Sequence, residues 1–288
     1  MHSKVFHGTK LLSAPSDVRS VAQGSDPAAL SSVRKACRIL KAIASLPEPR
    51  LTSIAQATQL DKATVLRLLE MLAEEGFATR DATSKQFALG PELTAVGAVA
   101  AARVDLREIA QPSLLRLTAE FEDTVMLFVP SGYESLCVAV ELGTFPLRAN
   151  YIGVGGRRIL GVSAGSMALL AALPQAEYEA VMPVVRRSLG PYPKLSPTLV
   201  ELMTEETRRR GYAESIDLLV DRVGSIGIAV LDARGRPACA FGISALSDRI
   251  VGRRHTLVAA LKREAEVCRL AWMAATGDAE PPSASIRT

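Results

Sequence analysis

Lys62, Ala63, Thr64 and Arg67 bring short polar and basic side chains together just after Asp61. Asp61 has the chemistry of a helix N-cap, which would put all four on the first turns of a helix. A helix N-terminus offers free N–H groups to phosphate. A guanidinium fork there can bond a guanine edge in two places, which makes Arg67 the expected base reader. A second cluster, Gly161-Val162-Ser163-Ala164-Gly165, spells G-x-S-x-G. That pattern can raise a nucleophilic serine on a strand-to-helix turn, provided a histidine and an acid follow. His255 is the one later histidine, beside Arg253 and Arg254 with no acid evident to orient it. A hydrolase using Ser163 is therefore the alternative rather than the leading reading. No catalytic group, metal or cofactor is expected, because the cysteines (37, 137, 239, 268) and histidines (2, 7, 255) are scattered without ligand spacing.

The elements that must carry the first cluster are legible around it. Val33, Ala36, Cys37, Ile39, Leu40 and Ile43 recur at helical spacing, and Pro47 and Pro49 stop that helix. A short helix follows, with Thr52 or Ser53 as its expected cap and Ile54 and Ala55 inside. Gln59-Leu60 is a tight turn. The helix after Asp61 runs over 62–74 with Val65, Leu66, Leu68, Leu69 and Leu72 inward or along its flank, and Gly76 closes it. Residues 77–80 and 86–89 form a small hairpin through a polar turn. Three helices and a hairpin in that order predict a winged helix-turn-helix, with the 62–74 helix in the major groove of double-stranded DNA. Thr52 and Ser53 are expected beside it, with Arg80 and Lys85 on the hairpin touching phosphates or the minor groove. The competing reading is a helical protein-binding domain.

The rest of the chain reads differently. Residues 91–104 are small and apolar and predict a linker helix. After a helix over 106–121, strands are expected at 124–129, 135–140 and 144–149. Helices follow near 166–173, 177–185 and 196–211, then strands at 225–232 and 238–244, and a last helix from 255 to 275. Strands joined by hairpin-like links predict an α+β domain on a mainly antiparallel sheet. Phe145 and Tyr151 are expected in its core, and Arg157 and Arg158 on a solvated loop. The expected division is a tail over 1–29, a DNA-binding domain over 30–91, a linker over 92–105, a larger α+β domain over 106–276 and a tail over 277–288.

Bulk composition sets the frame. The 288 residues are 48% hydrophobic and 22% charged, with net charge +4. That suffices for two globular domains and permits a nucleic-acid partner. No apolar run approaches the ~20 residues of a membrane span, and nothing resembles a signal peptide. A cytoplasmic protein with reduced, mostly buried thiols and no membrane partner is expected.

Several blocks in order resemble the IclR family of transcription regulators. They are Leu51-Thr52-Ser53-Ile54-Ala55, the run from Leu60 to Leu69, Glu75-Gly76-Phe77, Phe87-Ala88-Leu89-Gly90-Pro91, Gly156-Arg157-Arg158-Ile159-Leu160 before Ala168-Leu169-Leu170-Ala171, Arg209-Arg210-Gly211-Tyr212-Ala213, Val223-Gly224-Ser225-Ile226-Gly227, and Gly242-Ile243-Ser244 before Arg249. The resemblance covers about residues 31–276. It implies a repressor or activator of genes of small-molecule metabolism that binds operator DNA as a homodimer or homotetramer. It also implies a GAF-like C-terminal domain for a small organic acid or aromatic effector. The family's effector positions fall on Ala164, Gly165, Asp217, Ser225, Gly242 and Ser244. Ser225 stands where the family often has cysteine, Gly242 where it often has serine, and Ser166-Met167 where it usually has Gly-Lys, which implies a pocket of different polarity. A glycine-containing turn at a helix start is itself a natural carboxylate cradle.

Overall fold

The computed structural model describes residues 31–101, 105–147, 149 and 152–276. The tails expected over 1–29 and 277–288, the end of the linker at 102–104, and Tyr151 lie outside the described residues.

The N-terminal unit is α1 (Ser32–Ser45), α2 (Leu51–Thr58), α3 (Lys62–Glu74) and the hairpin β1 (Ala78–Arg80) and β2 (Phe87–Leu89). Ile39, Ile43, Ile54, Val65, Leu68, Leu69, Ala78 and Phe87 close one small core. The apolar stripe of α1 is narrower than its spacing predicts: Ile39, Ala42 and Ile43 are buried, but Val33 and Cys37 are exposed. The cap of α2 also differs. The helix begins at Leu51 with Arg50 in the cap position, and Ser53 sits one turn in. Gly76 adopts φ +74°, the left-handed conformation that lets the chain leave α3 and turn into the hairpin.

After α4 (Pro91–Ala101) comes a three-layer domain. Its elements are α5 (Leu106–Phe121), β3 (Thr124–Ser131), β4 (Glu134–Glu141), β5 (Arg157–Ile159), α6 (Ala164–Ala171), α7 (Gln175–Arg187), α8 (Pro197–Arg210), β6 (Ala213–Ile216), β7 (Val223–Leu231), β8 (Pro237–Leu246), α9 (Ser247–Gly252) and α10 (Arg254–Thr276). The sheet order is β5-β4-β3-β8-β7-β6, and every pairing is antiparallel. Its margins are short, three residues in β5 and four in β6. Alternation along β3 sends Met126 and Phe128 to the face covered by α6, α7 and α8, and Val125 and Leu127 to the face covered by α5 and α10. Helices cover both faces, which explains why the strands read as nearly continuous apolar runs.

Three expectations are corrected. Residues 144–147 are not a strand: Pro146 brings no N–H to a ladder, and the chain bends there instead. Arg157 and Arg158 form edge strand β5 rather than a loop, with Arg157 Nη1 donating to Ser131 Oγ at 2.9 Å. Strand β6 and helix α9 are additional elements.

Between α5 and α10, Glu264 is almost fully buried and accepts from Arg116 at 2.7 Å and from Arg263 at 3.3 Å. Burial pushes its carboxyl up, but the hydrogen bonds from these arginines outweigh that and hold it below the usual glutamate value. The ion therefore stabilises the fold fully above the unfolded value near ~4.3, and this is lost as pH falls through the lower folded value. Thermal melts should show the parent more stable than Glu264→Gln near neutral pH. That gap should shrink steadily below about pH 4; a gap independent of pH would show that the charge contributes nothing.

Candidate functional site

The turn between α2 and α3 is built by Gln59, left-handed at φ 55°, and by buried Leu60, whose N–H donates to Ala55 O at 3.2 Å. Asp61 then caps α3, accepting from the Thr64 N–H at 2.8 Å. That bond and the Thr64 hydroxyl hold the Asp61 carboxyl below its ordinary value. With Val65, Leu68 and Leu69 in the core, the opposite face of α3 is open. Lys62, Ala63 and Arg67 are exposed on it and Thr64 is half-buried. Neither Lys62 nor Arg67 forms an ion pair or hydrogen bond among the described residues. Glu70 and Glu74 are exposed further along the same helix. The face is thus basic at its start and acidic at its end, so only its first turns suit a polyanion.

Thr52 is exposed near the start of α2. The Ser53 hydroxyl is already engaged: it accepts from the Arg50 N–H at 3.0 Å and donates to Glu48 O at 2.7 Å. In the hairpin, Asp81 Oδ1 accepts from the Thr83 N–H at 3.1 Å and the Ser84 N–H at 2.6 Å. This knits the tip and leaves Lys85 exposed in a left-handed conformation. The Arg80 guanidinium lies 5.2 Å from the Phe87 ring centre, which steers an otherwise free side chain.

In the larger domain, α6 begins at a capping box in which Ser163 and Ser166 satisfy each other's backbone N–H. The N–H groups of Ala164 and Gly165 have no acceptor among the described residues, as expected for the first positions of a helix. The helix start lies directly on the sheet. A Cβ on Gly227 would come within 2.3 Å of Ala164 O, and one on Gly165 within 2.4 Å of Phe128 Cδ2. Gly242 continues this floor, 3.0 Å from Phe128 Cε2 by the same measure. Ser225 and Ser244 are cross-strand partners one step beyond it, both buried. The structure thus brings Ala164, Gly165, Ser225, Gly242 and Ser244 to one face. Asp217, left-handed at φ 56°, stands at the end of β6. Its carboxylate accepts from the Ser247 hydroxyl at the start of α9, and its backbone O accepts from Lys194 Nζ at 2.7 Å. Phe145 is drawn away to Arg249, whose guanidinium carbon is 3.5 Å from the ring centre. Sequence reasoning did not reach Thr124, Ser215 or Gly227 on the α6 face, since their neighbourhood depends on cross-strand register.

The same geometry removes the elbow reading of Ser163. Its hydroxyl is buried against Ser166 Oγ at 3.1 Å. His255 is exposed at the start of α10, in the layer on the opposite side of the sheet.

Comparison with known proteins decides the family. Residues 98–269 match the model described as bacterial transcriptional regulator IclR C-terminal, and residues 32–82 match the IclR helix-turn-helix domain. The chain belongs to the IclR family. This IclR-family protein is a DNA-binding transcription regulator. It is 27% identical over 223 residues to the HTH-type transcriptional regulator KipR of Bacillus subtilis, covering 77% of this chain and 88% of the relative. It is 28% identical over 241 residues to the glycerol operon regulatory protein of Streptomyces coelicolor, covering 81% and 92%. An IclR regulator structure from Alicyclobacillus acidocaldarius shares the fold at a TM-score of 0.71, with 24% identity over 84% of this chain and 98% of that one. An IclR homolog from Microbacterium hydrocarbonoxydans, complexed with 4-hydroxybenzoate, matches at 0.69 with 18% identity over 85% and 100%. Among the described residues of this IclR-family regulator, no helix is long and apolar enough to cross a membrane.

Proposed function

We propose that this regulator reads double-stranded operator DNA with the first turns of α3. Lys62, Ala63, Thr64 and Arg67 enter the major groove, Thr52 and the Ser53 turn abut the backbone, and Arg80 and Lys85 of the wing reach phosphates or the minor groove. The observation that carries this is the capped start of α3, where Lys62 and Arg67 stand exposed without an internal partner. A small organic acid or aromatic compound is the effector, its anionic group at the Ala164 and Gly165 N–H pair and its body over Ser225, Gly242 and Ser244, with Asp217 at the rim. The 4-hydroxybenzoate in the Microbacterium homolog supports that class. Residues 30–91 act as the DNA-binding domain, 92–105 as linker and 106–276 as effector domain. The protein works in the cytoplasm, as a repressor or activator of genes of small-molecule metabolism. Self-association as a dimer or tetramer fits the bare apolar side chains of α4, where Val99 is 74% exposed.

The test is DNA binding by fluorescence anisotropy on the chain's own upstream region. Arg67→Ala should weaken it by about 10- to 100-fold, the value of a lost bidentate base contact. Arg186→Ala should leave it unchanged, because Arg186 is paired with Glu201 on α8. Normal binding by Arg67→Ala would remove α3 from the role of recognition helix.

A further inference from the structure

Thr124, Ser244, Ser225 and Ser215 form a continuous row across four neighbouring strands. Thr124 of β3 is the register partner of Ser244 in β8. Ser244 is the partner of Ser225 in β7, and Ser225 of Ser215 in β6. Directly opposed residues point to the same side of a sheet. The side is fixed by their neighbours: Met126, Phe128, Ala213 and Ala240, each an even number of residues away on the same strands, all belong to the core under α6. With strands ~4.8 Å apart, the row extends roughly 14 Å. The next rung is Met126, Gly242, Gly227 and Ala213, where α6 begins. The hydroxyls therefore run along the foot of the two free N–H groups of Ala164 and Gly165.

Two of these hydroxyls, those of Thr124 and Ser244, are not satisfied by the protein. Thr124 and Ser244 are each 1% exposed, and neither hydroxyl has a hydrogen-bond partner among the described residues. Ser215 and Ser225 are each 5% exposed. A buried hydroxyl without a partner is disfavoured, and adjacent ones on successive strands more so. A hydroxyl both donates and accepts, so the group that best completes such a row is another hydroxyl.

We infer that this row is the specificity-determining rail of the effector pocket, and that the effector is an acyclic polyhydroxylated carboxylate. Its carboxylate sits at the α6 start, and successive hydroxyls lie along Ser225, Ser244 and Thr124, with Ser215 closing the far end. Thr124 and Ser215 become binding residues, and the ligand class narrows from organic acids in general to those with several hydroxyls in line. The inference rests on the proposed pocket at α6.

The experiment is calorimetric titration of the full chain with D-gluconate, hexanoate and 4-hydroxybenzoate. Gluconate is expected to bind at least about 10-fold more tightly than hexanoate, from the hydrogen bonds hexanoate cannot make. Thr124→Val should weaken gluconate by about 10-fold while leaving hexanoate and operator binding unchanged. Ser215→Ala should act in the same direction and decides the matter if the valine variant melts early. Gluconate binding unchanged in both variants, or equal affinity for gluconate and hexanoate, would overturn the rail. Binding of 4-hydroxybenzoate alone would overturn the rail and keep the pocket. Binding of none of the three would overturn both.

Discussion

Gly227→Ala is expected to destabilise the larger domain by about 3 kcal/mol, at the upper end for an overpacked core. The added Cβ would lie 2.3 Å from Ala164 O, 2.4 Å from Ala164 C and 2.7 Å from Gly165 N. All three are backbone atoms at the start of a helix and cannot swing aside as a side-chain tip would. Relief requires α6 to lift off β7, and α6 is buried along its whole length. Urea unfolding should show the loss, and effector binding should fall with it because the Ala164 and Gly165 N–H groups move away from the sheet. Gly190→Ala is the matched control, since nothing lies within 4 Å of its added carbon. If Gly227→Ala unfolds with the parent's midpoint, the close seating of α6 on the sheet is wrong.

A comparable loss, about 3 to 5 kcal/mol, is expected for Asp123→Ala. Asp123 is 3% exposed and lies between α5 and β3. Its carboxylate accepts from Arg249 Nε at 3.1 Å and pairs with Arg253. Both arginines also reach the last carbonyl of α5, Phe121 O, at 3.3 Å and 3.2 Å. Removing the acid leaves two partly buried cations facing one another and a helix end. Half-exposed pairs such as Arg186–Glu201 should contribute far less, because water screens them. A thermal melt of Asp123→Ala that overlays the parent would show that the arginines find other partners at no cost.

The small domain was legible almost residue by residue, because its signals are local. Asp61 as cap, Gly76 as terminator and the Val65–Leu68–Leu69 spacing each act within one or two turns, and all three hold in the structure. The errors there are also local: Arg50 rather than Thr52 or Ser53 starts α2, because Ser53 caps from inside the first turn. In the larger domain, long strands were readable and short ones were not. Strand β5 has three residues and owes its existence to pairing with Glu134, Ser135 and Leu136, a partner no local pattern announces. Residues 144–147 have strand-like types but pair with no strand among the described residues. The face under α6 divides in the same way. The start of α6 was visible as a glycine turn, whereas the meeting of Thr124 with Ser244, Ser225 and Ser215 depends on the register of four strands distant in sequence. Likewise, nothing local to Asp217 foretells that Ser247 will take its carboxylate.

The brevity of the sheet's two margins bears on how the protein behaves when crowded. A long, flat, apolar edge strand invites a foreign strand to add on, which is the first step toward fibrils. Here one margin, β5, offers three residues, two of them arginines, and the other, β6, offers four and includes Glu214, which is held by Arg254. An incoming chain would gain few ladder bonds and would have to strip water from charged side chains to form them. Along β5 and β6 the fold thus presents a foreign strand with only a short, charged ladder.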